Sequence, residues 1–270
     1  MGDKILPHGI FEIYKDFKGR LFTQSLLQPA KSHFAERIVK SEGKDYREWD
    51  PKRSKLAASV KNGCSNTGIR KNDVILYLGA SHGYTPSYVS DMVGKDGLIF
   101  ALDLAPTVLR DLVFLGEDRK NIVPIFADAN HPELYIDKVC QVDVVYQDLA
   151  QRNQAEIFLK NCELFLKEGG FGLLAVKAKS IDVKRKSKDI FVEVRDLIEK
   201  KFIVVDFRDL EPFEKDHCMI IIKKKEPLIS PNSKKNGTSS SSSNSNNKPK
   251  EISIREKIKS KINTKMRYKK

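Results

Sequence analysis

The chain has 270 residues, 40% of them hydrophobic, and a formal net charge of +13. That length and apolar content suit one medium-sized domain with a substantial core, and they argue against a wholly disordered or fibrous chain. No apolar run approaches the roughly 18 residues of a membrane span, and no signal-peptide pattern is present. The four cysteines lack the CxxC spacing of zinc sites, so we expect reduced thiols in an intracellular protein.

The first part of the chain, residues 1–53, is expected to form a small β-rich unit with antiparallel strands. Residues 9–15 alternate in polarity, residues 16–19 have turn composition, and a strand pattern resumes at 20–23. A helix over 54–61 is predicted next, because an Asn-Gly pair follows it and is typical of a helix end.

Residues 54–225 alternate between short apolar runs and helical segments. The runs are apolar almost throughout, as expected for parallel strands covered by helices on both faces. The last two runs, 202–207 and 218–223, are too close for a helical crossover, so we predict a final antiparallel hairpin. This order is typical of a Rossmann-like class I methyltransferase, an α/β fold with a mostly parallel seven-stranded sheet and an antiparallel last strand. The other predicted strands are 74–78, 98–102, 122–126, 142–147 and 171–177, and the predicted helices are 87–93, 107–119, 154–166 and 188–200.

The most informative segment is Val74–Gly83, an apolar strand that ends in two glycines and precedes a helix. The next strand ends in Asp103. Glycines in such a turn let the backbone approach a ligand, and an acid at the next strand tip accepts hydrogen bonds from ribose hydroxyls. The pattern therefore predicts a cofactor that contains ribose. A nicotinamide dehydrogenase is a poor alternative, because the turn is not GxGxxG and the final hairpin does not suit that class.

The positive charge is concentrated at the C-terminus. Residues 234–270 contain 12 Lys and Arg residues and 2 acids, so ten of the thirteen net charges lie there. The Ser- and Asn-rich composition of 226–250 cannot build a core. We therefore predict that 226–270 is a disordered basic tail that a polyanion such as RNA attracts. Isoleucines that recur every four residues leave an amphipathic helix over 251–266 as an alternative.

Seven motifs occur in order along residues 8–224, and together they resemble those of the fibrillarin family, the 2′-O-methyltransferases of box C/D ribonucleoproteins. The chain lacks the Gly/Arg-rich N-terminal arm of eukaryotic members, so it is similar to the shorter archaeal type. The motifs are Tyr46-Arg-Glu-Trp-Asp-Pro-Lys-Arg-Ser-Lys-Leu-Ala-Ala58, Tyr77-Leu-Gly-Ala80, Tyr88-Val-Ser-Asp91, Asn121-Ile-Val-Pro124, Val142-Asp-Val-Val-Tyr-Gln-Asp148, Ala175-Val-Lys-Ala-Lys-Ser-Ile-Asp182 and Leu210-Glu-Pro-Phe-Glu-Lys-Asp-His217.

The resemblance implies S-adenosylmethionine as the cofactor. The family's cofactor-binding positions correspond to residues of this chain. Gly79, Tyr84 and Thr85 are expected to hold the methionine end, and Asp103, with Leu104 beside it, the ribose. Asp128 and Ala129 are expected to contact the adenine, and Asp148, Leu149, Ala150 and Gln151 to line the floor near the transferred methyl. The chain departs from the family pattern on these loops. His82 and Tyr84 are bulkier than usual, Pro86 follows, Asp103 stands in place of Glu, and Arg152 stands in place of Pro. Altered cofactor affinity is therefore an open alternative.

The implied reaction is in-line transfer of a methyl group to a ribose 2′-hydroxyl, which requires alignment and a route for the proton. Asp148 and Lys177 end successive strands and Asp216-His217 opens the last, so we expect all four at one sheet edge. Lys177 is expected to orient and activate the hydroxyl, and His217 to take or relay its proton. A surface lysine at a strand end and a satisfied strand-cap histidine are the alternative interpretations.

RNA contact is expected from basic residues around the same edge, although the basic loop after the fifth strand is equally consistent with simple solvation. No RNP-type aromatic motif is present, and the family leaves the choice of target to a guide RNA. The expected RNA-binding residues are Lys52, Arg53, Lys55, Lys179, Lys184, Arg185 and Lys186.

The resemblance also implies an assembly. The expected partners are guide and target RNA, a Nop-domain scaffold protein and a kink-turn-binding ribosomal-type protein, with no metal and no membrane. The expected location is intracellular: cytoplasmic for an archaeal protein and nucleolar for a eukaryotic one. Two alternatives to the rRNA/tRNA methyltransferase stay open, a cofactor-impaired structural RNA-binding subunit and a protein glutamine methyltransferase.

Overall fold

The computed structural model describes residues 4–226, and residues 4–225 belong to one compact unit. The predicted disordered tail, 226–270, lies outside the described residues except for residue 226. The alternative helix over 251–266 lies outside them entirely. No helix within residues 4–226 is long and apolar enough to cross a membrane.

The N-terminal part forms a small sheet in which every neighbouring pair of strands is antiparallel, as the alternation in the sequence predicts. Its strands are β1 (Leu6–Pro7), β2 (Tyr14–Lys15), β3 (Leu21–Gln24), β4 (Ile38–Ser41) and β5 (Lys44–Trp49). The order across the sheet is β1-β2-β3-β5-β4. One face buries Phe22, Val39 and Tyr46 in a small apolar cluster.

The larger sheet has seven strands, of which the first five are parallel. They are β6 (Val74–Leu78), β7 (Leu98–Asp103), β8 (Ile122–Phe126), β9 (Val142–Gln147), β10 (Leu166–Lys177), β11 (Ile203–Asp209) and β12 (His217–Lys223). The order is β11-β12-β10-β9-β6-β7-β8, and β12 is antiparallel to both of its neighbours. The predicted final hairpin is confirmed. Since β9 enters the sheet beside β6, the chain switches direction there, and ligands of open α/β sheets bind at such a point.

Six α-helices and a short 3₁₀ helix (Pro132–Leu134) complete residues 4–226. The α-helices are α1 (Lys55–Lys61), α2 (Tyr84–Val93), α3 (Pro106–Asp118), α4 (Gln154–Phe165), α5 (Ala178–Ile181) and α6 (Ser187–Glu199). The short α5 directly after β10 was not predicted. β10 also begins five residues earlier than predicted, because Leu166 already pairs with Val142 before a register shift to Phe171. The backbone turns at that irregularity, where Gly169 has a φ of 73°.

A buried ionic network fastens the small sheet to helix α2. The Asp91 carboxylate accepts hydrogen bonds from Thr23 at 2.8 Å, Arg47 at 2.7 Å and Arg119 at 2.6 Å. Arg47 also pairs with Glu36 at 2.7 Å. Burial alone would raise the pKa of Glu36, but the Arg47 guanidinium and backbone N–H groups lower that pKa to about 2. Each buried charge thus has a partner, which such a network requires. The domain boundary near residue 53 stays a prediction.

Candidate active site

The candidate site lies where the carboxyl ends of β6 to β10 meet, and Gly79 at the tip of β6 sets its geometry. Gly79 has a φ of 83°, and its N–H donates to the Leu102 carbonyl at 2.9 Å. A Cβ atom at this position would lie 2.3 Å from the Asp148 carbonyl oxygen and 2.7 Å from the Leu149 side chain. Only glycine therefore lets the turn after β6 approach the segment after β9 so closely.

The turn continues into the N-terminus of α2 through Gly83. Its φ is 88°, and a Cβ there would lie 2.4 Å from Leu115. No side chain caps α2, and Pro86 in its first turn has no N–H. The N–H groups of Tyr84 and Thr85 open the helix and have no acceptor within it. They are available to an anion, which the helix dipole also favours. A carboxylate such as that of an amino acid fits this position.

Asp103 is held at the tip of β7 by hydrogen bonds to both carboxylate oxygens. The Ser81 N–H donates to Oδ2 at 2.8 Å, and the Ala105 N–H donates to Oδ1 at 2.9 Å. A carboxylate oxygen accepts more than one hydrogen bond, so capacity remains for ribose hydroxyls. The next residue, Leu104, has an exposed side chain. The shorter Asp in place of Glu is thus fixed directly by the glycine turn.

The loop after β8 carries Asp128 and Ala129. Asp128 accepts hydrogen bonds from the backbone and side-chain nitrogens of Asn130, both at 2.9 Å, and these hydrogen bonds lower the pKa of Asp128. Ala129 is buried, and its carbonyl accepts from Asn161 at 3.0 Å. The loop is therefore held by side-chain hydrogen bonds, and the Asp128 carboxylate is ionised at neutral pH.

Asp148 and Lys55 form an ion pair at the centre of this edge. The Lys55 ammonium lies 3.1 Å from both carboxylate oxygens of Asp148. The exposed fractions of the two side chains are 19% and 24%. Asp148 itself is fixed through its N–H, which donates to the Leu78 carbonyl at 2.9 Å, and Lys55 is the first residue of α1. A charge pair therefore connects two segments that are far apart in the sequence.

His217 is buried at the start of β12, opposite Lys177 in the sheet. Its Nδ1 lies 2.6 Å from the Lys215 carbonyl oxygen. Because a carbonyl only accepts, Nδ1 carries a proton, and in the neutral ring Nε2 is left with a lone pair. Burial lowers the pKa of His217, and the nearby Lys55 ammonium lowers it further against the raising effect of the Lys215 carbonyl. The imidazole is therefore neutral at pH 7 and can accept a proton.

Lys177 ends β10 with an exposed side chain and a fixed backbone. The buried Gln154 amide accepts from the Lys177 N–H at 2.9 Å and donates to the Lys177 carbonyl at 3.0 Å. Gln147, also buried, donates to the Gln154 carbonyl at 2.7 Å. These two glutamines hold the end of β10 in place while the ammonium stays accessible to a substrate.

The segment after β9 also brings Leu149 against the Gly79 turn, whereas Ala150, Gln151 and Arg152 are exposed. Asp216 is engaged with the start of α6. Its φ is 60°, and its carboxylate accepts from the Ser187 hydroxyl at 2.5 Å, at the start of α6. No contact within residues 4–226 joins the Asp216 side chain to the Lys55–Asp148 pair. The Asp216 carboxylate therefore helps to hold the start of α6, and its catalytic assignment stays a prediction.

Lys55 was predicted to contact RNA, and the structure shows that its ammonium pairs with Asp148. The sequence carries a signal that separates it from its neighbours. Ser54 is the N-cap of α1, so Lys52 and Arg53 precede the helix while Lys55 is its first residue.

The site as a whole offers two ammonium groups, a carboxylate and a neutral imidazole, a set suited to proton removal from a hydroxyl. Within residues 4–226 no group of His, Cys, Asp or Glu side chains is arranged to hold a metal ion.

Comparison with known proteins identifies the family of the chain. Residues 4–226 match the protein-family model named Fibrillarin. The chain belongs to the fibrillarin family. It is 43% identical over 216 residues to the fibrillarin-like rRNA/tRNA 2′-O-methyltransferase of Pyrococcus abyssi, a match that covers 80% of this chain and 95% of the relative.

Two solved structures extend the comparison from sequence to fold. A crystal structure of Aeropyrum pernix fibrillarin with natively bound S-adenosyl-L-methionine has a TM-score of 0.75 and 37% identity, and the match covers 82% of this chain and 99% of that one. A fibrillarin/Nop5p complex has a TM-score of 0.73 and 36% identity, and the match covers 80% of this chain and 98% of that one. The predicted methyltransferase fold is confirmed.

In this member of the fibrillarin family the two bulky residues of the cofactor turn contact neighbouring elements. His82 Nδ1 lies 2.8 Å from the Asp111 carboxylate on α3. The Tyr84 ring packs edge-on against Phe34 at 5.4 Å, and the Arg53 guanidinium lies 4.2 Å from its centre. Both side chains are thus engaged with α3 and with the loops of the N-terminal part, so their bulk is accommodated beside the turn.

The basic residues expected to bind RNA fall into two groups in the structure. Some have exposed side chains for which no ion pair within residues 4–226 is recorded, and these suit contact with phosphates. Others are engaged with the protein itself: Arg53 and Lys179 donate to backbone carbonyls, and Arg185 pairs with Glu193 at 2.7 Å. The exposed group consists of Lys52, Lys184 and Lys186.

Proposed function

We propose that the chain is an S-adenosylmethionine-dependent RNA ribose 2′-O-methyltransferase, the catalytic subunit of a box C/D guide-RNA ribonucleoprotein that modifies rRNA and tRNA. The observation that carries the proposal is the position of Lys55, Asp148 and His217 at the same sheet edge as the glycine turn and Asp103. The relatives named above support it, since one is a 2′-O-methyltransferase and another holds S-adenosyl-L-methionine.

The residues at the strand tips fit the cofactor. The backbone at Gly79 leaves no room for a Cβ, and the uncapped start of α2 suits the methionine carboxylate. Asp103 has hydrogen-bonding capacity for the ribose hydroxyls, and the ionised Asp128 with Ala129 is assigned to the adenine. When bound, the cofactor supplies an electrophilic methyl group on a sulfonium centre.

The chain's own residues prepare the ribose hydroxyl for reaction. His217 accepts the hydroxyl proton at Nε2, since its ring is neutral at pH 7 and Nδ1 is already committed to the Lys215 carbonyl. Lys177 and Lys55 orient the 2′-oxygen and stabilise the negative charge that develops there. Asp148 holds Lys55 in position through the 3.1 Å ion pair.

The assembly follows from the same proposal. The chain works with guide RNA, target RNA and a Nop-domain scaffold protein, as the fibrillarin/Nop5p complex of a relative supports. A kink-turn-binding ribosomal-type protein completes the particle, and no metal takes part in the reaction. The exposed Lys52, Lys184 and Lys186 contact phosphates at the rim of the site. The particle acts inside the cell, in the cytoplasm of an archaeon or the nucleolus of a eukaryote.

The proposal is tested in two steps. Isothermal titration of the full chain with S-adenosylmethionine, with NAD as the control, is expected to show selective binding. Particles assembled with guide RNA and partners are then given cofactor labelled in the methyl group, together with target RNA and a glutamine-containing protein. Label in the 2′-O position of the guided nucleotide supports the proposal. Label only in protein, or cofactor binding without RNA methylation in the assembled particle, contradicts it.

A further inference from the structure

Ser54 is a buried residue that the proposed chemistry does not use, and it lies directly before the catalytic lysine. It is the N-cap of α1, with an extended backbone, and its hydroxyl oxygen accepts from the Ala57 N–H at 3.4 Å. Its side chain is almost completely buried. Capping by serine is common, and by itself it requires no functional explanation.

A second contact of the same hydroxyl leads to the cofactor turn. Thr85, in the first turn of α2, donates its hydroxyl hydrogen to Ser54 Oγ at 3.0 Å. Thr85 is also buried, so water does not compete for this hydrogen bond. The contact joins the starts of two helices, one next to the methionine end of the cofactor and the other at Lys55.

We propose that Ser54 is a positioning residue that couples the cofactor turn to Lys55 through its hydrogen bond with Thr85. The position of the Lys55 ammonium depends on where α1 starts, and Ser54 fixes that start against α2. Tyr84 and Thr85 would hold the methionine end of the cofactor at the start of α2, and the hydrogen bond from Thr85 to Ser54 would hold α1, and with it Lys55, beside Asp148. The inference rests on the function proposed above, because it assumes that Lys55 acts on the reacting hydroxyl.

The geometry favours coupling because the connection is short and buried. Two side chains and one 3.0 Å hydrogen bond separate the α2 backbone from the α1 backbone. Lys55 follows Ser54 in the chain, and its ammonium lies 3.1 Å from the Asp148 carboxylate. A displacement of about 1 Å at a catalytic group is enough to lower a rate about 100-fold. The coupling therefore predicts an effect on kcat rather than on RNA affinity.

The test uses the full chain in the reconstituted particle with S-adenosylmethionine and target RNA. Ser54→Ala removes the acceptor, and we expect kcat at saturating cofactor and RNA to fall about tenfold, as for one lost buried hydrogen bond, with KM for RNA unchanged. Ser54→Thr keeps a hydroxyl and is expected to restore most of kcat. Thr85→Val breaks the same hydrogen bond but leaves the cap of α1 intact, so it is expected to lower kcat to a similar extent.

Ser59→Ala is the matched control. Ser59 is buried in the same helix, and its hydroxyl donates to the Leu56 carbonyl within α1 at 2.7 Å. We expect Ser59→Ala to leave kcat unchanged. Equal loss of kcat in Ser54→Ala and Ser59→Ala would show that any hydroxyl lost from α1 has this effect, and it would overturn the proposal.

A double substitution separates positioning from general stability. In the Lys55→Met background, followed in single-turnover reactions, adding Ser54→Ala is expected to cause no further decrease, because Ser54 acts through Lys55. An additional tenfold decrease there would overturn the coupling, although Lys55 itself would stay assigned to catalysis. If instead Lys55→Met retains full activity, the proposed function of Lys55 fails first, and the two failures are thus distinguished.

Discussion

The ion pair between Lys55 and Asp148 makes one prediction that separates two roles for the same lysine. Lys55→Met keeps the apolar stem of the side chain and removes its charge. Both partners of the pair are partly solvated, with exposed fractions of 19% and 24%, so Asp148 is not left as a fully buried charge. The loss of folding stability is therefore expected to be about 1 kcal/mol or less, as for other partly exposed ion pairs. For a domain of this size that corresponds to a decrease in Tm of roughly 2–4 °C.

The effect on catalysis is expected to be much larger. If the ammonium stabilises the developing negative charge on the ribose oxygen, its removal lowers kcat by about 10²- to 10³-fold, as for the loss of one preorganised oxyanion donor. A phosphate contact would instead weaken RNA binding and reduce the slope of log affinity against log salt by about one. Lys52→Met is the comparison, since Lys52 is exposed three residues earlier and is assigned to phosphate contact.

The assay measures both quantities on the same particles. Methyl transfer is followed at saturating RNA and cofactor, and RNA affinity is measured at several salt concentrations. A kcat for Lys55→Met within about threefold of wild type, together with weaker and less salt-dependent RNA binding, would refute the catalytic assignment. It would also return Lys55 to the RNA-binding group in which its basic neighbours lie.

Five further outcomes follow from the structure and the sequence. His217→Gln is expected to lower kcat by about 10²- to 10⁴-fold as a general base is lost. Because burial lowers the pKa of His217 below its usual 6.5, kcat/KM of the wild type should be flat near pH 7 and fall only as the pH drops through that lowered value. Gly79→Ala places a Cβ 2.3 Å from the Asp148 carbonyl oxygen, so titration should show at least about tenfold weaker cofactor binding. Asp91→Ala leaves two buried arginines without their shared carboxylate and should cost about 3–5 kcal/mol in chemical denaturation. Removing residues 227–270, with ten net positive charges, should weaken RNA association more at low salt than at high salt.

Much of the fold could be predicted because its signals are local. The parallel strands are continuous apolar runs, and the final hairpin follows from the short connection before β12. Gly79 and Asp103 could also be placed from sequence, since a strand tip and its glycine turn are defined by a few neighbouring residues. The start of β10 could not, because Leu166 joins the sheet through a register shift that depends on its partner Val142.

The roles of Lys55 and Asp216 depended on contacts that are distant in sequence. Lys55 meets Asp148 because α1 packs against β12 of the large sheet, and the nearby basic residues gave a stronger signal for RNA. Asp216 lies next to His217 in sequence, but its positive φ and its hydrogen bond to Ser187 give its side chain a different environment. The sequence alone could not show this hydrogen bond, because Ser187 is 29 residues away from Asp216 along the chain.

The altered cofactor turn was the reason to consider a structural subunit that binds cofactor poorly. That reason depended on the bulk of His82 and Tyr84, and both side chains have contacts beside the turn: His82 with α3, and Tyr84 with Phe34 and Arg53. The groups that fit the cofactor, namely the backbone at Gly79, the start of α2 and the Asp103 carboxylate, do not involve either side chain. Since the pocket depends on backbone geometry more than on the identity of these two residues, the substitutions are compatible with an active enzyme.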